Sequence, residues 1–245
     1  MLKYLKQKYG IYKKKKAFWK EYEILNEQKN NTNERLLMSR VEIMPCYWDK
    51  TNYTSYDHHY VLHTAWAVRK VLEINPDKHI DISSSLYFCA NLSSFLPVEF
   101  YDYRHADLFL SNLKTAQADL TKLNFKTNSI NSISCMHTIE HIGLGRFGDP
   151  LDYDGDIKAI SELKRVTAKE GNLLFVVPVG KSKIIFNAHR IYSYKQILSY
   201  FDDWKLIEFS LITDDDKGGK LIINATEKIA NEQKYGCGCF WFKKE

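Results

Sequence analysis

The string His137-Thr138-Ile139-Glu140-His141 sets two imidazoles and a carboxylate within five residues. An imidazole titrates near neutrality, so His137 or His141 is suited to take a proton from a hydroxyl or an amine. Glu140 beside them could meet a polar substrate group. A second pair, His189-Arg190, joins another candidate base to a guanidinium fork suited to phosphate or carboxylate. Three acids recur at wider spacing: Asp81, Asp102 and Asp119. Asp102 lies 21 residues after Asp81. An acid about 20 residues past a tight strand-to-helix turn is placed to accept hydrogen bonds from ribose hydroxyls. Asp119, followed by Leu120, is placed to accept from an exocyclic amino group such as that of adenine.

Several strings match named patterns and fail them in context. The 137–141 string fits H-x-x-E-H, the inverted zinc-peptidase pattern, which needs both histidines on one face of a continuous helix. An apolar run leads straight into it and Gly143 and Gly145 follow, so no metal is expected there. A structural role, capping the next turn, competes with the substrate-facing one. Gly143 to Gly148 fits G-x-G-x-x-G, but Asp149-Pro150 stand where a phosphate-binding helix must open. Asp152 to Asp156 is similar to a calcium loop, yet Leu163 occupies the twelfth position, where glutamate is required. Asp154 or Asp156 as a helix N-cap is the better reading. The polar loop 143–155 is long enough for a lid, and its Arg146 is suited to an anionic acceptor. Cys237 and Cys239 alone make an incomplete metal site, and the aromatics after them suggest a tail packed on the body.

Those residues need elements to hold them. Residues 60–74 put Val61, Thr64, Ala65, Val68 and Leu72 at helical spacing, and Asn75-Pro76 ends the pattern. Strands are expected at 78–82, 98–101, 116–118 and 129–136, each closing near one of the residues above. An amphipathic helix follows at 156–166 with Ile157, Ile160, Leu163 and Val166 on one face, broken by Glu170-Gly171. Asn172 to Pro178 is an apolar strand of the doubly buried kind. A helix at 193–201 precedes two β runs, 204–213 and 220–227, joined as a hairpin by the turn 214–219. Strands alternating with helices imply a mostly parallel α/β sheet with an antiparallel terminal hairpin, and ligands bind such sheets at the carboxyl ends of the strands.

Composition narrows the partners. The chain has 245 residues, 44% of them hydrophobic, and a net charge of +5. Its first 20 residues hold eight lysines and no acid, so the other 225 carry −3. A folded surface without basic excess is not that of a nucleic-acid protein. The arm 1–20 mixes lysine with Tyr4, Leu5, Tyr9, Tyr12 and Trp19, which suits peripheral contact with an anionic membrane; a solvated helix packed by its aromatics is the competing reading. Five cysteines without C-x-x-C spacing, and no apolar leader, favour the cytoplasm, at most peripheral to the membrane's inner face. The polar stretch 27–35 is expected as a loop after the basic arm, and the division expected is a basic helical extension, 1–56, and an α/β domain, 57–245.

The stretch ADLTKLNFKTNSINSISCMHTIEHI (118–142), with KHIDISSS and GNLLFVVPVG, resembles the class I S-adenosylmethionine-dependent methyltransferases. Within them, HTIEHIGLGRFGDPLDYDGDIKAISELKRV, AHRIYS and YGCGCFWF resemble a bacterial set called domain of unknown function 268, over about 57–242. The resemblance implies a Rossmann-like three-layer sandwich. It implies S-adenosylmethionine as cofactor, with Asp81, Ser83 and Ser85 facing its methionine part, Asp102 its ribose, and Asp119 and Leu120 its adenine. Methyl transfer to oxygen or nitrogen of a small or carbohydrate-linked acceptor follows, with surface-polysaccharide biosynthesis as setting, His137, His141 and His189 as candidate bases, and Glu140, Arg146 and Arg190 toward the acceptor. At Ser83, Ser85 and Tyr87 the chain departs from the family's glycines. That departure favours the alternative, a methyltransferase-like module that binds or assembles without catalysing.

Overall fold

In the computed structural model, residues 173–179 are all buried, as a strand covered on both faces must be. The structure describes residues 2–30, 36–215 and 219–245. Met1 of the arm, residues 31–35 of the expected loop and 216–218 of the expected hairpin turn lie outside them. The chain divides into two compact units, 1–55 and 56–245.

The first unit is built on α1 (Leu2–Asn30), so 27–30, expected as loop, continue the helix. Phe18 meets Trp19 and Tyr47 edge-on, each at 5.4 Å between ring centroids. Lys14 lies 3.9 Å over the Trp48 ring, which ties the segment after the helix back to it. Tyr4, Leu5, Tyr9 and Tyr12 stay exposed among the lysines.

The second unit opens with α2 (His58–Ile74), capped by Asp57, whose Oδ1 accepts from Tyr60 N at 3.0 Å. Its buried face is not the expected one. His63, Trp66, Ala67 and Val71 are buried, whereas Val61 and Leu72 are exposed. Trp66 decides the rotation: its ring is the largest apolar surface on the helix, and its Nε1–H donates to buried Glu208 Oε1 at 2.8 Å.

The sheet holds β1 (His79–Ile82), β2 (Val98–Asp102), β3 (Leu113–Gln117), β4 (Ile130–Met136) and β5 (Thr167–Val179) in parallel, in the order β3-β2-β1-β4-β5. Helices α2 and α3 (Leu86–Leu92) cover one face through Trp66, Val71, Phe88 and Leu92. Helices α4 (Gly155–Val166) and α5 (Tyr194–Tyr200) cover the other through Ile160, Leu163, Val166 and Ile197. This is the expected Rossmann-like three-layer α/β sandwich. Two boundaries differ. Ile157 is exposed and Ala159 takes its place in the core. Strand β5 starts directly after α4, and Glu170 (φ 60°) forms an irregularity inside it rather than a break before it.

A short hairpin, β6 (Lys183–Ile185) and β7 (His189–Ile191), follows β5. The expected terminal hairpin shrinks: β8 (Trp204–Ile212) pairs with β9 (Leu221–Ile222) over two residues, and a turn and α6 (Glu227–Asn231) replace the rest of the second run. The supposed tail is instead β10 (Gly236–Lys244), inserted antiparallel between β5 and β8. It is buried from Gly236 to Phe242. Gly238 permits the insertion, because a Cβ there would lie 2.5 Å from Val179 Cγ1.

Candidate active site

A buried polar chain holds the turn after β1. Ser134 Oγ donates its one proton to Asp81 Oδ2. It must therefore accept from His79 Nε2–H, at 2.8 Å, which leaves His79 Nδ1 to accept from Ser132 Oγ at 2.8 Å. Asp81 Oδ1 accepts from Ser84 N at 3.0 Å. Burial raises the Asp81 pKa to about 6, with the bonds from Ser134 and Ser84 opposing it. Asp81 thus braces the turn and, contrary to expectation, does not line the cavity above it. Ser83 takes the left-handed conformation (φ 57°) usual for glycine. Its N–H donates to Tyr101 O at 2.7 Å and its carbonyl accepts from Thr138 Oγ1 at 2.9 Å, which offsets the strain. Ser85 is the N-cap residue of α3 and Tyr87 projects into solvent, so neither reaches the cavity.

The cavity, about 330 Å³, is lined by Ser83, Ser84, Asp102, Asp119, Leu120 and Thr138, among others. Asp102 Oδ1 accepts from Arg104 N at 2.8 Å; Asp119 Oδ1 accepts from Thr121 N at 2.8 Å and Thr121 Oγ1 at 2.7 Å. Each acid so keeps its rotamer while its Oδ2 stays unengaged among the described residues. Two fixed acceptors beside buried Leu120 and the Ser83 turn fit a nucleoside, with hydroxyls toward one acid and an exocyclic amino group toward the other.

At the end of β4 the chain turns through His137 (φ 54°) into a short 3-10 turn, Ile139–His141, not the continuous helix a zinc peptidase needs. His137 Nδ1–H donates to Glu140 Oε1 at 2.8 Å, and Cys237 Sγ–H meets His137 Nε2 at 3.3 Å. Both ring nitrogens are engaged, so His137 is not the proton acceptor expected of it. His141 differs. Its Nδ1–H donates to Ala188 O at 2.6 Å, which leaves the Nε2 lone pair for a ligand, 3.9 Å from Glu140 Oε1. Burial lowers the pKa of His137 to about 4, lowers that of His141 and raises that of Glu140 to about 7. Glu140 is 1% exposed and orients His137, so it is not free to embrace a substrate as expected.

The loop after this turn explains why its glycine pattern binds no phosphate. Asp149 Oδ2 accepts from Gly143 N at 2.7 Å and Gly145 N at 3.3 Å, and Asp149 Oδ1 from Phe147 N at 3.2 Å. A carboxylate of the chain itself fills the nest. Arg190 is a second correction. It is 4% exposed and donates to Ile142 O at 2.6 Å and Tyr153 O at 3.0 Å, with Nε 3.5 Å from Asp156 Oδ2. It clamps the loop's two ends from within and lines neither this cavity nor the cleft beside it, so it does not face an acceptor molecule. Asp156 also accepts from Tyr192 OH at 2.8 Å, and Asp154, at the cap position, makes no capping bond. Arg146 remains available: it is exposed, donates to Ala188 O at 3.0 Å, and with Arg104 brackets the Phe147 ring.

A second cleft adjoins the first and is lined by Asp57, His59, Glu140, His189, Asp214 and Tyr235, with others. The two share Tyr60, His137, His141 and Arg146 as a common wall. His189 lies in this second cleft only, its ring 4.8 Å from that of Tyr235 and its pKa lowered by burial. Sequence reasoning missed Tyr60, His59 and Tyr235. The dense string Tyr56-Asp57-His58-His59-Tyr60 is the signal that could have found the first two.

The profile of the family described as "Caenorhabditis protein of unknown function, DUF268" matches residues 66–217, more than half of the chain. The chain belongs to this family. That description names Caenorhabditis, where a bacterial set was expected, and the match is shorter than 57–242. No curated protein sequence matches. Among solved structures, YcgJ of Bacillus subtilis has a TM-score of 0.54 at 11% identity over 76% of this chain and 99% of its own. A candidate methyltransferase of Bacillus halodurans has 0.50 at 13%, over 72% and 98%. A candidate sarcosine dimethylglycine methyltransferase of Galdieria sulphuraria has 0.54 at 11%, over 76% and 86%. At such identities the likeness is one of fold, and the DUF268 chain has the fold of class I S-adenosylmethionine-dependent methyltransferases.

Proposed function

We propose that the protein transfers a methyl group from S-adenosylmethionine to an oxygen or nitrogen of a small or carbohydrate-linked acceptor. The observation that carries this reading is the common wall. A cavity suited to a nucleoside and a separate polar cleft meet at Tyr60, His141 and Arg146. Asp102 would hold the ribose of the cofactor and Asp119 its adenine amino group. When bound, the cofactor supplies a methyl group on a positively charged sulfur. His141 Nε2 takes the acceptor's proton, and the bond from Nδ1–H to Ala188 O keeps the ring aimed. Arg146, beside His141, binds an anionic group of the acceptor. Aromatic rings of Tyr60 and Tyr235 with carboxylates of Asp57 and Asp214 suit the faces and hydroxyls of a sugar, which agrees with a part in surface-polysaccharide biosynthesis.

The test is calorimetry with S-adenosylhomocysteine, followed by methyl transfer onto a panel of sugars and nucleotide sugars. Binding near micromolar supports the reading; a folded protein that takes up no S-adenosylhomocysteine overturns it and leaves the non-catalytic module.

A finer proposal concerns the arm. No helix among the described residues is long and apolar enough to cross a membrane. We propose that residues 1–20 hold the protein against an anionic bilayer from the cytoplasmic side, through lysines and the exposed Tyr4, Leu5, Tyr9 and Tyr12. Each lysine near such a surface is worth about 1 kcal/mol. Replacing Lys13–Lys16 by glutamate should abolish sedimentation with phosphatidylserine vesicles; equal sedimentation of both proteins refutes the attachment.

A further inference from the structure

Neither sequence pattern for a metal is used as written, yet the fold joins one half of each. H-x-x-E-H offers His137, and Cys-Gly-Cys offers Cys237. They come together over the last residues of β5, which has the end of β4 on one side and the start of β10 on the other, and the first turn of α2 brings His59 against them. One ligating atom from each of the three lies within 4.8 Å of the other two. Cys237 Sγ is 3.3 Å from His137 Nε2. Zinc bonds of about 2.3 Å to sulfur and about 2.0 Å to nitrogen, near the tetrahedral angle, separate those atoms by about 3.5 Å.

Two further observations point to a missing ligand. Glu140 Oε2 and His63 Nε2, both buried and both on residues beside His137, have no hydrogen-bond partner among the described residues. Buried polar atoms without partners are uncommon and call for an ion or a water. The His63 ring lies 5.0 Å from that of His137. Moreover, the Glu140 Oε1 bond to His137 Nδ1 is the carboxylate–histidine arrangement that aims the opposite ring nitrogen at a metal.

We propose that His59, His137 and Cys237 bind a divalent cation of the zinc type, with Glu140 orienting His137 and the fourth position open to the second cleft. A Cys237 thiolate and the Glu140 carboxylate together balance the cation's two charges. Two imidazoles and a thiolate select zinc or cobalt over magnesium or calcium, which prefer oxygen. The bound cation would link three elements distant in sequence and so stabilise the fold.

The experiment uses the full chain, purified without chelator, stripped, and then titrated with Zn2+ and Co2+ alone. Expected are about one zinc per chain by mass spectrometry and a melting temperature raised several degrees on adding zinc back. The cobalt form should show an intense thiolate-to-cobalt charge-transfer band. Cys237→Ser should remove that band, and His59→Ala should weaken zinc binding at least about tenfold. A folded wild-type protein with no cobalt–thiolate band, or zinc binding no tighter than about 10 µM, overturns the site. So does zinc binding that Cys237→Ser and His59→Ala leave unchanged. Should either variant fail to fold, the wild-type cobalt spectrum decides alone. None of these readouts depends on methyl transfer.

Discussion

The two adjoining cavities are built in opposite ways. The first takes its polar groups from the end of β2 and from the residues just after β1, β3 and β4, so that parallel strand order alone delivers Ser83, Asp102, Asp119 and Thr138 to one rim. Its acids are fixed by bonds to backbone two residues on and keep an oxygen spare. The second draws on the start of α2, the end of β4, β7 and the segments before β10, and its groups are strongly desolvated. Burial takes His59 down to about 4, Glu140 up to about 7 and Tyr235 up to about 12. A cavity made by topology is general to a fold. A cleft made by contacts across 176 residues, from His59 to the Tyr235 ring stacked on it, belongs to the particular chain. Acceptor choice should therefore reside in the second.

The largest effect that separates them is on turnover. His141→Ala should cost about 10²–10⁴-fold in single-turnover methyl transfer while S-adenosylhomocysteine affinity stays within about threefold. A variant that still turns over at the wild-type rate ends the general-base assignment.

Arg190→Ala should come next, through stability. It strips the guanidinium from buried Asp156 and frees the backbone at Ile142 and Tyr153, a loss of about 3–5 kcal/mol in urea unfolding. A loss under about 1 kcal/mol would show that the loop between the cavities is held by something else.

Asp102→Ala probes the first cavity only. Removing a fixed charged acceptor should weaken S-adenosylhomocysteine by about ten- to hundredfold, or about 1.5–3 kcal/mol, with transfer rates at saturation little changed. Unchanged affinity by calorimetry would remove Asp102 from the ribose.

The smallest effect is one of pH, beneath the first cavity. Burial lowers the His79 pKa to about 3 in the folded protein, against 6.5 ordinarily. Between those values the unfolded chain binds the extra proton, so stability falls as pH falls through that window, by at most about 1.4 kcal/mol per pH unit. The loss of stability between pH 7 and pH 5 should be smaller in His79→Gln than in the wild type, with buried His59, His63 and His137 carrying the rest. An acid limb equally steep in that variant would assign the proton to another group.

Much of the first cavity was legible because β periodicity marks strand ends, and strand ends are where an open parallel sheet binds ligands. Asp102, Asp119 and Leu120 needed nothing more. Asp81 was placed correctly in the chain but misread in role, since only the Ser132–His79–Ser134 chain shows that its oxygens face inward. Arg190 failed for a similar reason: a guanidinium at a strand end looks the same in sequence whether it points to solvent or into the loop behind it. Strand β10 was illegible because Gly236-Cys237-Gly238-Cys239 has little strand propensity, and its burial between β5 and β8 compensates for that.

By itself the sequence determined the alternation of strands and helices, the sandwich it must form, and the rim of acids above it, because these follow from hydrophobic period and local turn chemistry. Only the tertiary structure decided which face of α2 is inner, that His141 rather than His137 keeps a free nitrogen, and that His59, His137 and Cys237 meet. Each of these depends on packing between segments far apart in the chain, where burial and a single hydrogen-bond partner fix the outcome, and no local pattern encodes such a meeting.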